Sequence, residues 1–197
     1  MSDINQFDNK PETRRRGKQL ESAIFQATWD ELSAVGYSRL TMEGVADRAE
    51  TSKTVIYRRW PNRAELVLAT IRQRVPTPSD EIPDTGKLRD DLLILLRRMN
   101  RSLKEVGFET IHGLMVDLGD IPFSRLFFPN GRSSNTMNTI LKRAAERGEV
   151  QLAKITPRIA TLPVDLTRHE LLLSQEPVSE NTLIEIVDEI FLPLISM

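Results

Sequence analysis

Apolar residues recur along this chain at spacings of three and four, and no stretch sustains a two-residue alternation, so the pattern predicts helices and no sheet. A first helix is expected over 17–35, with a stripe of Leu20, Ile24, Ala27 or Thr28, and Leu32, and with Gly36 as its stop. Met42, Val45, Ala46 and Ala49 share one face of a short helix over 41–49, with Thr41 as cap and Glu43 in the first turn. Gly44 inside it costs about 1 kcal/mol relative to alanine. It is either a tolerated weakness or a place of close approach, to a phosphate or to the first helix. A second short helix over 52–59 starts at Ser52, a natural N-cap, and offers Val55 and Ile56 as a small buried face. Trp60-Pro61 ends it, because proline cannot continue a helix and the residue before proline avoids helical backbone. Asn62 then caps a helix over 63–75 whose Leu66, Val67, Ala69, Thr70 and Ile71 form a broad apolar face.

The stretch 76–86, PTPSDEIPDTG, breaks the pattern with three prolines, one glycine and three acids, and is read as a linker. Beyond it, Leu88, Leu92, Leu95 or Leu96, Met99 and Leu103 mark an amphipathic helix over 87–106. The next helix, 108–118, is expected to turn Ile111, Leu114, Met115 and Leu118 inward. Residues 121–149 read as one helix kinked around Pro129, or as two in line, closed by Arg147-Gly148-Glu149. Thr156 and Pro157 start a helix over 156–173 that Pro163 should kink. A last helix over 179–192 carries Leu183, Ile186, Val187, Ile190 and Phe191 as its stripe, and Pro193 is expected to end it. The fold class is all-α with about nine helices. The domains are a flexible basic arm (1–16), a head (17–75), a linker (76–86) and a helical body (87–197).

Composition narrows the chemistry. The 197 residues contain no cysteine and two histidines, so disulfides and thiolate chemistry are excluded, and a zinc site or a Ser-His-Asp triad has little material. No spaced carboxylate pair or nucleophile motif stands out, so no catalytic residue, metal site or cofactor is expected. No apolar run is long enough to span a bilayer and the N-terminus is polar, which with the absence of cysteine points to a cytoplasmic protein. The net charge of -1 hides an asymmetry. Residues 1–75 hold 13 Lys and Arg against 10 Asp and Glu, a balance of +3; the remainder holds 14 against 18, a balance of -4. A mildly basic head on an acidic body is the charge distribution of a DNA-binding unit attached to one that does not bind DNA.

Two helices of about eight residues joined by a turn of three or four make a helix-turn-helix, whose second helix fits the DNA major groove. Lys53 and Thr54 enter the groove first: lysine donates to guanine O6 and N7, and the threonine methyl touches a thymine methyl. Arg58 and Arg59 reach bases or backbone, and Ser52 can hold a phosphate. Trp60 is read as a core aromatic that closes the small head. Arg14-Arg15-Arg16 either reach phosphates or an adjacent minor groove, or belong to a solvated leader.

Gly36-Tyr37, Thr41, Val45-Ala46, Ala49, Ser52, Tyr57, Trp60, Arg63 and Leu66 resemble the DNA-binding signature of the TetR family of transcriptional regulators, continuously over about fifty residues. Glu50 stands where that family usually has glycine, Trp60 replaces phenylalanine and Arg63 replaces lysine. The resemblance implies an N-terminal three-helix DNA-binding domain and a C-terminal helical domain for effector binding and dimerisation. It implies that Thr41, Tyr57 and Arg63 hold phosphates of a pseudo-palindromic operator. It further implies a homodimer, for which the helices 156–173 and 179–192 are the candidates, and a repressor released by a small, largely apolar effector. Met99, Phe108, Met115, Phe127 and Met137 would line the effector pocket, with His112 or Asp117 as a polar anchor; the alternative is that these residues are simply core. A competing reading is a helical sensor or interaction module that has lost sequence-specific DNA binding, for which Glu50 is the supporting departure.

Overall fold

The computed structural model describes residues 17–75, 81–118 and 132–196, all the helices of which are named below. The expectations for the arginine arm, for 76–80 and for Phe127 and the break at Pro129 lie outside the described residues. Among the described residues there is no strand.

Helix α1, Lys18–Val35, buries Ile24, Ala27, Thr28 and Leu32 and ends at Gly36, whose φ of 76° lets its N–H return to Leu32 O. Helix α2, Met42–Arg48, is capped by Thr41, whose hydroxyl accepts from Gly44 N at 3.0 Å. A Cβ on Gly44 would stand 2.5 Å from Glu31 Oε1, so its close approach is to α1, through the carboxylate that also pairs with Arg48 at 2.9 Å. Helix α3, Lys53–Tyr57, is shorter than its pattern suggested. Ser52 has the extended backbone of an N-cap but makes no side-chain capping bond; its carbonyl, not its hydroxyl, is engaged, accepting from Val55 N at 3.0 Å. Trp60, with Pro61 behind it, packs edge-on against Phe25, ring centroids 5.2 Å apart. Asn62 Oδ1 accepts from Glu65 N at 2.9 Å and starts helix α4, Arg63–Arg74.

Between α2 and α3 the chain turns at Glu50, which has φ 52°. The left-handed conformation that glycine would supply is therefore kept with a side chain in place, and the helix-turn-helix geometry survives the departure. A non-glycine residue there costs roughly 1–2 kcal/mol, partly offset by its smaller unfolded-state entropy. Glu50→Gly is expected to raise stability by roughly 0.5–1 kcal/mol, read as a higher melting temperature.

The body is built on helix α5, Leu88–Val106, whose Leu88, Leu92, Leu95, Leu96, Met99 and Leu103 are buried. Ile82 packs against the same core and Pro83 O accepts from Arg143 Nη1 at 3.3 Å, so the second half of the proline-rich stretch lies on the body. Asp91 is fully buried on α5; its Oδ1 accepts from Thr85 N at 2.7 Å and Thr85 Oγ1 at 2.8 Å and its Oδ2 from Arg147 Nη2 at 3.4 Å, so the carboxylate is both bonded and paired, as burial requires. Helix α6 runs Phe108–Asp117 and helix α7 Arg132–Glu146. The chain leaves α7 through Gly148, at φ 79°, and Glu149 Oε2 then accepts from Leu88 N at 2.8 Å in the otherwise uncapped first turn of α5.

A 3₁₀ turn, Leu152–Lys154, leads to helix α8, Pro157–Ser174, capped by Thr156 and continuous through Pro163. The last helix, α9, begins as Glu180–Glu185, widens to a π-helix over Ile186–Phe191, and returns to α-helix over Leu192–Ser196. Pro193 therefore does not end it. The π segment bonds Leu192 N to Val187 O, and Pro193 falls in the first turn of the final α segment, where its missing donor leaves no gap.

The buried side chains form two cores. One holds α1 to α4; the other holds α5, α7, α8 and α9. Helix α6 belongs to both: Ile111 is in the body core, while Leu114 and Leu118 are in the head core.

Candidate nucleic-acid interface

Helix α3 hangs on one fully buried residue, Ile56, with Val55 half-buried beside it. Everything else on it faces outward: Ser52, Lys53, Thr54, Tyr57, Arg58 and Arg59 are all exposed, as is Thr41 at the start of α2. Tyr57 is 49% exposed, so its ring is not spent on the core and its hydroxyl can meet a partner outside the chain. Lys53 Nζ lies 2.7 Å from Glu43 Oε1, and this bond pushes the ammonium pKa up, so Lys53 is charged and held across the helix pair. Among the described residues no ion pair ties Arg58 or Arg59. The expected base-reading and phosphate-holding side chains of α3 thus share one open surface, with two guanidiniums at its C-terminal end.

Arg63 does not share that surface. It is the first residue of α4 and its fork is turned toward the body. Nε donates to Asp117 Oδ2 at 2.7 Å, and Nη1 lies 3.3 Å from Ser38 O and 3.5 Å from Tyr37 O and Leu40 O. The guanidinium also sits over the Tyr37 ring, 4.9 Å from its centroid. The resemblance pointed to a phosphate for this residue; in this structure the planar fork, which lysine lacks, is engaged by a carboxylate and a cluster of carbonyls.

Asp117 accepts a second bond, from Tyr37 Oη at 2.9 Å. Arg63, and then Tyr37, hold its carboxyl below the usual carboxylate range. Burial first, then Asp117, pushes the Tyr37 hydroxyl up, so it remains a donor. A depressed carboxyl stabilises the fold at pH values above its unfolded pKa and loses that effect as pH falls through the folded one. These bonds are therefore complete at neutral pH. Two turns earlier on α6, Glu109 Oε1 accepts from Ser38 N at 3.1 Å and Ser38 Oγ at 2.8 Å, and these bonds lower its pKa too. Sequence reading had offered Asp117 only as an anchor for a ligand and had passed over Glu109 and Gly113. The signal available was a mid-helix glycine flanked by carboxylates four residues away on either side.

The expected effector residues do not line one cavity. Met99 and Met137 are 7% and 1% exposed and belong to the body core. Met115, expected inward, is 41% exposed, because Ile111 and Leu114 take the two buried faces of α6. Phe108 and His112 line a cleft of about 510 Å³ between head and body, with Ser38 and Val116 among its walls. Met137 edges a second, smaller cavity of about 220 Å³ with Leu141, Ile155 and Ala160. Among the described residues no cluster of His, Cys, Asp or Glu is placed to hold a metal ion, and no helix is long and apolar enough to cross a membrane.

Residues 24–70 match the family model for bacterial regulatory proteins of the tetR family, and residues 82–190 match the tetracyclin repressor-like C-terminal domain. An uncharacterized HTH-type transcriptional regulator of Mycobacterium tuberculosis is 31% identical over 199 residues, covering 96% of this chain and 95% of the relative. A DNA-binding transcriptional repressor, TetR, of Mycobacteroides abscessus is 32% identical over 186 residues, covering 91% of this chain and 96% of its own. Among solved structures, a TetR transcriptional regulator from Agrobacterium tumefaciens superposes with a TM-score of 0.58 at 18% identity, covering 91% of this chain and 95% of that one. At that identity the likeness speaks for the fold alone.

Proposed function

Because the chain belongs to the TetR family of bacterial transcriptional regulators, we propose that it is a dimeric repressor that reads a pseudo-palindromic operator and leaves it when a small effector binds. It regulates transcription and is not an enzyme. The observation that carries the reading is the outer surface of α3, where six exposed polar or aromatic residues are mounted on a helix anchored by Ile56. Lys53 and Thr54 face base edges; Thr41, Ser52, Tyr57, Arg58 and Arg59 hold phosphates or flanking bases. One head reads only a few base pairs, so two are needed, on half-sites one helical turn apart or a multiple of it. Helices α8 and α9 supply the second copy's docking face, supported by the exposed Leu173, Ile190 and Leu194. The head–body cleft supports the effector reading by size and place: about 510 Å³ is within the range of small-molecule sites, and Phe108, Val116 and His112 offer apolar contact and one polar anchor. A ligand there shifts the population between head spacings that fit the operator and those that do not. The cytoplasm, where the operator is, is the compartment this reading requires.

The test is selection of bound sequences from a random DNA pool by the full-length protein. Recovery of an inverted repeat supports the reading, and recovery of no enriched sequence at low salt defeats it. On the selected site, Arg58→Ala is expected to weaken binding by about tenfold and to reduce the slope of log affinity against log salt by about one. Lys53→Ala is expected to leave the salt slope nearer wild type and to relax the preference at one base-pair position of each half-site.

A further inference from the structure

Glu109, Gly113 and Asp117 lie four residues apart on α6 and so share one face. All three meet the short segment between α1 and α2. Glu109 Oε1 takes both the N–H and the hydroxyl of Ser38, and a Cβ on Gly36 would stand 2.8 Å from its other oxygen. Gly113 lies flat against Tyr37: a Cβ there would be 2.1 Å from Tyr37 Cδ1. Asp117 takes the Tyr37 hydroxyl and the Nε of Arg63. Two of the three are poor choices for a helix. Glycine weakens a helix interior, and a carboxylate in the last turn faces the negative end of the helix dipole. Local choices that conflict with the element carrying them mark a constraint from what they touch.

Arg63 carries the connection forward. Its Nη1 faces the carbonyls of Tyr37, Ser38 and Leu40. Leu40 directly precedes Thr41, the cap of α2. A single guanidinium therefore joins the last turn of α6 to the start of the helix-turn-helix. A phosphate would have to draw this side chain away from a carboxylate and three carbonyls.

Resting on the proposed operator reading, we infer that Asp117 is a positioning residue for DNA binding: acting through Arg63, it fixes where the helix-turn-helix sits relative to the body. The fork of Arg63, and not its charge alone, is what the site uses. Asp117→Asn keeps the shape and removes the charge, and Arg63→Lys keeps the charge and removes the fork.

Both variants and the double variant are compared with wild type as full-length chains on the selected operator, and on versions with the half-sites moved one base pair closer and one further apart. Positioning gives a several-fold loss for each single variant, a double variant no worse than either, an unchanged salt slope, and a flattened preference among the three spacings. A merely destabilised head would lose affinity equally at all spacings. The inference is overturned if Arg63→Lys binds as wild type, or if Asp117→Asn tightens binding; Asp117 would then only compete with a phosphate for Arg63. Amide exchange in the same proteins without DNA gives a separate decision. The N–H of Leu40, bonded to Gly36 O at 3.2 Å, and that of Gly44, bonded to the Thr41 hydroxyl, are expected to exchange about tenfold faster in Asp117→Asn. Unchanged exchange overturns the inference even if wild type binds no DNA, an outcome that by itself would count against the operator reading instead.

Discussion

Gly113→Val is expected to lower the stability of the protein by about 3 kcal/mol. The Cβ it introduces would fall 2.1 Å from Cδ1, 2.5 Å from Cε1 and 3.0 Å from Cγ of Tyr37, well inside carbon–carbon contact. The ring is held where it is. It is 2% exposed, its hydroxyl is bonded to Asp117, and Arg63 covers it at 4.9 Å. Either the ring leaves its place, taking its hydrogen bond and its contact with Arg63, or α6 backs away from the head and withdraws Leu114 and Leu118 from the head core. Alanine meets the same clash but gains about 1 kcal/mol of helix propensity, so Gly113→Ala should cost less than valine, roughly 1–2 kcal/mol by the same overpacking. Val116→Ala, at a residue of the same helix that is 67% exposed, is the control and should stay within about 0.5 kcal/mol of wild type. Urea unfolding of the three variants decides it. A Gly113→Ala protein as stable as wild type would mean that the ring does not lie against this helix.

That clash also shows where reading from sequence stops. The head was legible because its determinants are local. Met42, Val45, Ala46 and Ala49 announce a buried face by spacing and are all buried, and Thr41 and Asn62 cap the helices they precede. Trp60 was recognisable as a core aromatic for the same reason. The head–body contacts join residues 54 to 80 positions apart. Periodicity tells which face of α6 is apolar; it does not tell what the opposite face meets. The Met and Phe residues of the body posed a different difficulty. An apolar stripe looks the same whether it fills a core or lines a pocket, and Met99 and Met137 went to the core. The end of α9 was misjudged because proline was weighed as a stop, while a π segment moves the hydrogen-bond register so that Pro193 falls in a first turn.

Placing charges at Leu173 and Ile190 together is expected to turn a dimer into a monomer and to weaken operator binding by a hundredfold or more. Helix α8 sends Ala160, Pro163, Val164, Thr167 and Leu171 into the body core, and α9 sends Leu183, Ile186, Val187, Phe191 and Ile195. Bidentate Arg89–Asp188 bonds at 2.7 Å, and the Arg97–Glu180 pair, tie α9 to α5. With the core filled and α9 fastened, Leu173, Ile190 and Leu194 are left 69%, 43% and 41% exposed. A single exposed leucine is ordinary; three apolar residues outside on two consecutive helices are better explained by a surface that another molecule covers. Two charges there confront each other across a two-fold axis, since an isologous interface repeats every substitution. The loss for DNA then follows from linkage. Two joined heads make the second half-site contact intramolecular, and separation forfeits an enhancement on the order of 10²–10⁴. Sedimentation should give about twice the chain mass of 22.5 kDa for wild type and the chain mass itself for Leu173→Glu/Ile190→Glu. Val116→Lys, which also puts a charge on an exposed apolar position but on α6, should remain a dimer. A double variant that still sediments as a dimer would move the interface off α8 and α9. A monomer that binds the full operator as tightly as wild type would mean that one head suffices, and the body would then need another purpose.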